Sequence, residues 1–200
     1  EASEDPEAKR RIKNLLDAAD FTRHLLVVTP DAASEDDIRR VHSAAHLEQV
    51  KALSANSGGQ LGYSAFTGPG GYEIALLAAG ATMSAMEAVL SGKAKSAYAL
   101  VRPPGHHADG NRSMGFCIFN NIAIAGLYAR KKHGCERIAV VDFDVHHGNG
   151  TQDIFWSDKD LYFASTHQMP LYPGTGALNE TGVGNVWNAP LRPGDGGDRF

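Results

Sequence analysis

The sequence predicts an α/β fold, a mainly parallel sheet with helices on its faces. Three observations lead there. Strand-like and helix-like stretches alternate through the second half of the chain, the order that builds parallel sheets from crossover units. Residues 137–143 place Ile138, Ala139, Val140 and Val141 in succession, the unbroken apolar run of a strand buried on both faces. Two hundred residues suffice for one domain with a sizeable core, since chains of this size bury roughly 70% of their unfolded surface.

The elements follow in order. Residues 6–19 carry Ile12, Leu15, Leu16 and Ala19 at helical period, with Pro6 and Glu7 suited to the first turn. Ser34 and Asp37 resemble a capping box and start a short helix over 35–41. A third helix covers 44–53. The glycine-rich stretch 54–71 is expected to be a long surface loop, and such loops are commonly functional or mobile. Residues 72–90 are Ala-rich on most sides, as in a closely packed helix. A buried strand over 96–101 is expected to end at Pro103-Pro104, with a helix over 121–132 and strands over 137–143, 160–166 and 186–191. No repeat or low-complexity tract interrupts this order.

Composition narrows the function classes. Hydrophobic residues make up 42% and charged ones 21%, with 22 Gly and 9 Pro, which excludes collagen, coiled coil and disordered chains. Nineteen basic residues are scattered among 23 acidic ones for a net charge of −4, so no nucleic-acid groove is indicated. No run reads as the ~20 apolar residues of a membrane span, and the acidic start Glu1-Ala2-Ser3-Glu4-Asp5 does not suit a signal peptide. Two cysteines, Cys117 and Cys135, agree with a reducing, cytoplasmic setting. A first residue other than Met and an end at Phe200 without a helix stop suggest a fragment.

In an open parallel sheet, ligands bind outside the carboxyl ends of the strands. Three strand-like runs lead there into Arg102-Pro103-Pro104-Gly105-His106-His107, Asp142-Phe143-Asp144-Val145-His146-His147-Gly148-Asn149-Gly150 and Ser165-Thr166-His167, which hold five of the nine histidines. Asp142, Asp144 and His146 are spaced i, i+2, i+4, and extended backbone would aim them to one face. Carboxylate and imidazole donors together suit a borderline ion such as zinc, whose catalytic sites need three protein ligands and an open position. His106 and His107 beside such a site could manage the protons of amide hydrolysis. Each would want a partner on its far nitrogen, for which Asp142 and Asn149 are the candidates.

Other features carry no chemistry in this reading. Gly68-Pro69-Gly70-Gly71 lacks dinucleotide-binding spacing, and Gly148-Asn149-Gly150-Thr151 is not a P-loop. Cys117 is taken as a small buried hydrophobe. His24, His42, His46 and His133 fall in or beside helices, and Trp156 and Trp187 are taken as core or pocket wall.

These residues resemble the zinc-dependent histone deacetylases and their microbial relatives, which share the arginase-like three-layer αβα fold. The resemblance rests on Val41-His42-Ser43-Ala44-Ala45-His46-Leu47, Arg102 to Ala108, Met114-Gly115-Phe116-Cys117-Ile118-Phe119-Asn120-Asn121 and above all Asp142 to Gly150, spanning residues 36–191. Asn149 and the following Thr151-Gln152-Asp153 look like the class II branch and bacterial histone deacetylase-like amidohydrolases. The resemblance implies one catalytic domain over residues 1–200, truncated at both ends.

It also implies that Asp144 and His146 bind zinc and that His106 and His107 are the active-site pair. Asp142 would orient His106 and join Ser165 in a structural potassium site. Gly115 would offer its carbonyl to the substrate amide, and Phe116 and Tyr172 would wall a narrow channel for an acyl-lysine stem, whose methylenes suit apolar walls. The family's third zinc ligand, an Asp, and its transition-state Tyr are expected beyond Phe200. Asp195 and Asp198 do not match the ligand's context. The substrate implied is acetylated lysine or a similar acetylated amine, an acetylpolyamine or small amide being the alternative, and a homo-oligomer is compatible with the resemblance. Two rivals stand beside it: a binuclear manganese hydrolase on the same fold, which needs more ligands than residues 142–147 offer, and a non-catalytic binding module.

Overall fold

A computed structural model of the chain describes residues 4–200. Helix α1 spans Pro6–Ala18, with the Asp5 side chain accepting the Glu7 N–H at 2.9 Å and proline in its first turn. None of its residues is buried. Helix α2, Glu35–Ile38, forms under the expected Ser34–Asp37 capping box but stops after one turn, shorter than its sequence suggests. Helix α3, Ala44–Ala55, is capped by the Ser43 hydroxyl.

Part of the expected loop 54–71 is ordered as an antiparallel hairpin, β1 Gly59–Gly62 with β2 Ala65–Thr67. Strands this short show no alternation in sequence. The hairpin exists because it docks: a Cβ on Gly62 would lie 1.9 Å from the Ser113 carbonyl oxygen, so only glycine permits that approach. Helix α4, Gly71–Leu90, is long and apolar enough by length and composition to cross a membrane, which the sequence reading missed. It serves the core instead, burying Ala75, Ala79 and Met83 with Ile124 and Ala125 of helix α5, Asn121–His133.

The sheet is parallel in the order β3–β4–β5, with β3 Ile138–Asp142, β4 Leu161–Gln168 and β5 Val186–Leu191. One face packs on α5 and on α6, Asn149–Phe155, where Ala123 and Phe155 meet Leu161, Phe163 and Val186. On the other face Val141 and Trp187 are exposed. The strand expected over 96–101 is not formed. A strand is defined by its hydrogen-bonded neighbour, and among the described residues β3 has no partner on that edge. The α/β architecture is therefore as expected, and its topology sends the segments after Asp142 and after β4 out of the same end of the sheet.

Candidate active site

Strand β3 ends at Asp142, and the backbone does not continue extended as the i, i+2, i+4 argument assumed. Asp142 Oδ1 accepts the Asp144 N–H at 3.1 Å, and Asp144 Oδ1 accepts the His146 N–H at 2.7 Å. Two successive side-chain turns, rather than strand alternation, gather the three side chains. Asp144 Oδ1 and His146 Nδ1 thereby lie 3.1 Å apart. Two donors bound at 2.0–2.2 Å to a tetrahedral ion sit about 3.4 Å apart, so this pair fits a zinc-sized ion. Among the described residues no group of three or more His, Cys, Asp or Glu side chains is arranged for a metal.

Beside these donors stand His106 and His107, their ring centroids 4.0 Å apart. His106 Nδ1 is 2.9 Å from Asp142 Oδ2, and His107 Nδ1 is 2.8 Å from Asn149 Oδ1. Both partners named from sequence are thus in place. Each is an acceptor at that atom, so each Nδ1 carries the hydrogen and each Nε2 is left for chemistry. The Asn149 amide is oriented by its other end, which donates to the His107 carbonyl and to Met114 Sδ.

The carboxylate approaches so closely that a Cβ on Gly148 would lie 2.2 Å from Asp142 Oδ2. Burial, then the neighbouring His106, pulls His107 down to about 4, against the Asn149 hydrogen bond. Burial pushes Asp142 upward, but its hydrogen bond to and attraction by His106 prevail and hold it below the usual carboxylate range.

Tyr172 stands edge-on to both His107 and His146, at 5.0 and 6.2 Å between centroids. Its hydroxyl is buried with no partner among the described residues, and burial raises the phenol to about 12. Gly115 has φ +55°, and a Cβ there would strike the His107 ring at 2.3 Å. Phe116, also at positive φ, is 40% exposed. The stacked partner of Tyr172 is Tyr63, at 5.8 Å, carried by the turn of the β1–β2 hairpin. The same turn accepts the Gly115 and Phe116 N–H groups on the Tyr63 and Ser64 carbonyls, at 3.0 and 2.8 Å. Sequence reasoning missed Tyr63, because nothing in a glycine-rich stretch marks where it docks.

Ser165 pairs with Asp142 in the β3–β4 register and is 2% exposed. Its Oγ lies 2.9 Å from His167 Nδ1, while His167 Nε2 lies 3.0 Å from the Gly176 carbonyl. Nε2–H must therefore donate to that carbonyl and Nδ1 must accept from the serine hydroxyl, leaving the oxygen lone pairs of Ser165 free. The loop bearing Tyr172 is fastened by Glu180, which accepts the Gly176 and Ala177 N–H groups and Gln152 Nε2. His147 Nδ1 meets Thr175 Oγ1 at 2.8 Å in the same loop.

A cleft of about 1080 Å³ runs between the unpaired segment and β3, with Ala99 and Val101 on one wall, Val140 and Val141 on the other, and His106 and Asp144 among its lining residues.

A chain with this sheet, this imidazole pair and this loop order has the histone deacetylase fold, and the protein belongs to that family: the histone deacetylase domain model matches residues 3–200. It is 49% identical to the histone deacetylase-like amidohydrolase of Pseudomonas aeruginosa over 99% of this chain and 53% of that one. It is 46% identical to a probable deacetylase of Methanothermobacter thermautotrophicus over 88% of this chain and 52% of that one. The crystal structure of the HDA15 HD domain superposes with a TM-score of 0.89 at 34% identity, over 92% of this chain and 54% of that one. The chain thus spans about half the length of the curated relatives it matches.

Proposed function

We propose that this chain carries the imidazole pair and two of the metal donors of a zinc-dependent amidohydrolase that removes acetyl or other acyl groups from lysine side chains or similar amines. The observation that carries the reading is the juxtaposition of two separately oriented imidazoles with a carboxylate–imidazole donor pair. His107 stands 6.0 Å from His146 between ring centroids. Asp144 and His146 would hold the zinc, a third donor being supplied from outside the described residues. Bound there, the ion supplies a Lewis acid that polarises an amide carbonyl and makes water nucleophilic at neutral pH.

The chain's own residues divide the proton work. His107, neutral and hydrogen-bonded to a neutral amide, offers its Nε2 lone pair to a proton from water. His106, whose Nδ1 faces the Asp142 carboxylate, would pass a proton from Nε2 to the leaving amine. Tyr172 and Phe116 would flank the methylene stem of the substrate, and the Gly115 carbonyl would accept its amide N–H. Asp142 and Ser165 would hold a structural potassium ion, which the free lone pairs of the Ser165 hydroxyl suit. Among the described residues Asp144 and His146 form the donor pair, where a catalytic zinc needs three protein ligands.

The test uses the protein as its gene encodes it. One zinc per chain and hydrolysis of an acetyl-lysine peptide or an acetylated diamine are expected. Asp144→Ala and His146→Ala should lose the metal, whereas His106→Ala and His107→Ala should keep it and lose turnover. Zinc at normal stoichiometry in Asp144→Ala, or two manganese ions in the wild type, would sink the assignment.

A further inference from the structure

We propose that Asn120, held in place by His42, is a positioning residue for the His106–His107 pair, through its side-chain grip on the main chain at Ala108 and on Thr151 of α6. The inference rests on the amidohydrolase reading for its kinetic consequences, though not for its geometry.

Asn120 is fully buried, and every polar atom of its side chain is engaged. Oδ1 accepts the Ala123 N–H at 3.2 Å and so caps α5. Nδ2 donates to the Ala108 carbonyl at 3.0 Å and to Thr151 Oγ1 at 3.1 Å. One amide therefore ties together the start of α5, the residue after the imidazole pair and the first turn of α6.

That grip completes a clamp on three consecutive carbonyls. The His106 carbonyl accepts the Gly150 and Thr151 N–H groups at 2.9 and 3.2 Å. The His107 carbonyl accepts Asn149 Nδ2 at 3.4 Å, and the Ala108 carbonyl accepts Asn120 Nδ2. Gly150 is what lets α6 come this near, since a Cβ there would lie 2.3 Å from the Ala108 oxygen. Asn149, which orients His107, opens that same helix. A shift of Asn120 thus moves the ring's main-chain anchor and its hydrogen-bond partner relative to one another.

His42 fixes Asn120 in turn. It is 2% exposed, and its Nε2 accepts the Asn120 main-chain N–H at 2.9 Å. That bond requires a lone pair on Nε2 and hence a neutral ring with its proton on Nδ1. Burial, then His46 at 5.2 Å between centroids, disfavours a charge on the ring and prevails over Asp109, which favours one; Phe119 packs on the ring at 5.3 Å. The buried, neutral ring preserves one main-chain acceptor bond next to the active-site loop.

The experiment compares His42→Leu, which removes the acceptor, with His42→Gln, whose Oε1 replaces Nε2, and Asn120→Ser, which keeps a helix cap but cannot reach Ala108. All are made in the protein as its gene encodes it and checked for a cooperative melt and for zinc content. His42→Leu and Asn120→Ser should lower kcat on an acetyl-lysine peptide by about 10- to 100-fold, the scale of a misplaced catalytic group, with KM within about threefold and zinc retained. His42→Gln should restore most of the kcat lost in His42→Leu. Ring nitrogen NMR should show the His107 proton leaving its sole residence on Nδ1 in Asn120→Ser.

Folded variants with wild-type kcat and an unchanged His107 signal would overturn the proposal, and so would a His42→Gln variant as impaired as His42→Leu. If the wild type hydrolyses no acetylated amine, the amidohydrolase reading fails, and the His107 signal in Asn120→Ser still decides this one.

Discussion

His107 leans on an amide, where its neighbour His106 leans on a carboxylate. Replacing Asn149 by Asp sets an anion 2.8 Å from Nδ1, which favours the imidazolium. The His107 pKa, now about 4, should rise, so that more of the ring is protonated and less base is present at a given acidic pH. Asn149→Asp should shift the acid limb of the kcat–pH profile upward by at least one unit, and a superimposable profile would contradict the assigned division of labour. At this scale much was legible beforehand. Asp142, Asp144, His146 and the two imidazoles announce themselves because their spacing within the chain is the signal, and the far-nitrogen partners follow from what an imidazole needs. Tyr63 was not legible, since its stacking on Tyr172 is created by tertiary docking alone.

The capping box at Ser34 was read and forms, although its helix stops after one turn, and the helices over 44–53 and 121–132 were read without their caps at Ser43 and Asn120. The strand over 96–101 and the hairpin were misread for opposite reasons. The first has the composition of a strand without a neighbour to bond; the second has a neighbour but too few residues to show a pattern. The hairpin matters for function because its turn holds both Tyr63 and the main chain of Gly115 and Phe116. In Gly62→Ala, the new methyl would meet the Ser113 carbonyl at 1.9 Å and lift the hairpin from its seat. KM for an acetyl-lysine peptide should rise about tenfold, a loss of roughly 1.4 kcal/mol of binding, with kcat affected less. An equal fall in kcat at constant KM would place the hairpin's contribution elsewhere.

Across the molecule, buried neutral imidazoles set the response to acid. Burial is the largest cause drawing His42 to about 3 and His107 and His147 to about 4. Unfolding frees each to take a proton at an ordinary pKa near 6.5. Their contribution is therefore whole above pH 6.5 and is lost as pH falls toward 4, by about 1.4 kcal/mol per pH unit for each ring. Melting temperature measured from pH 8 to pH 4 should be nearly level down to neutrality and fall steeply below 6.5. A level course throughout would mean that these rings are not buried in the neutral form.

The unpaired edge of β3 has a further meaning for the molecule in solution. Among the described residues its outer peptide groups have no strand partner, and Ala99, Val101, Val140 and Val141 line the cleft beside it; such a row is a template on which another strand can add. Without charged residues at Val140 or Val141 to discourage it, two copies meeting at this edge would extend one another's sheet. Solubility of the 200-residue span should then fall with concentration sooner than its net charge of −4 suggests, and self-association would begin at the same edge that borders His106.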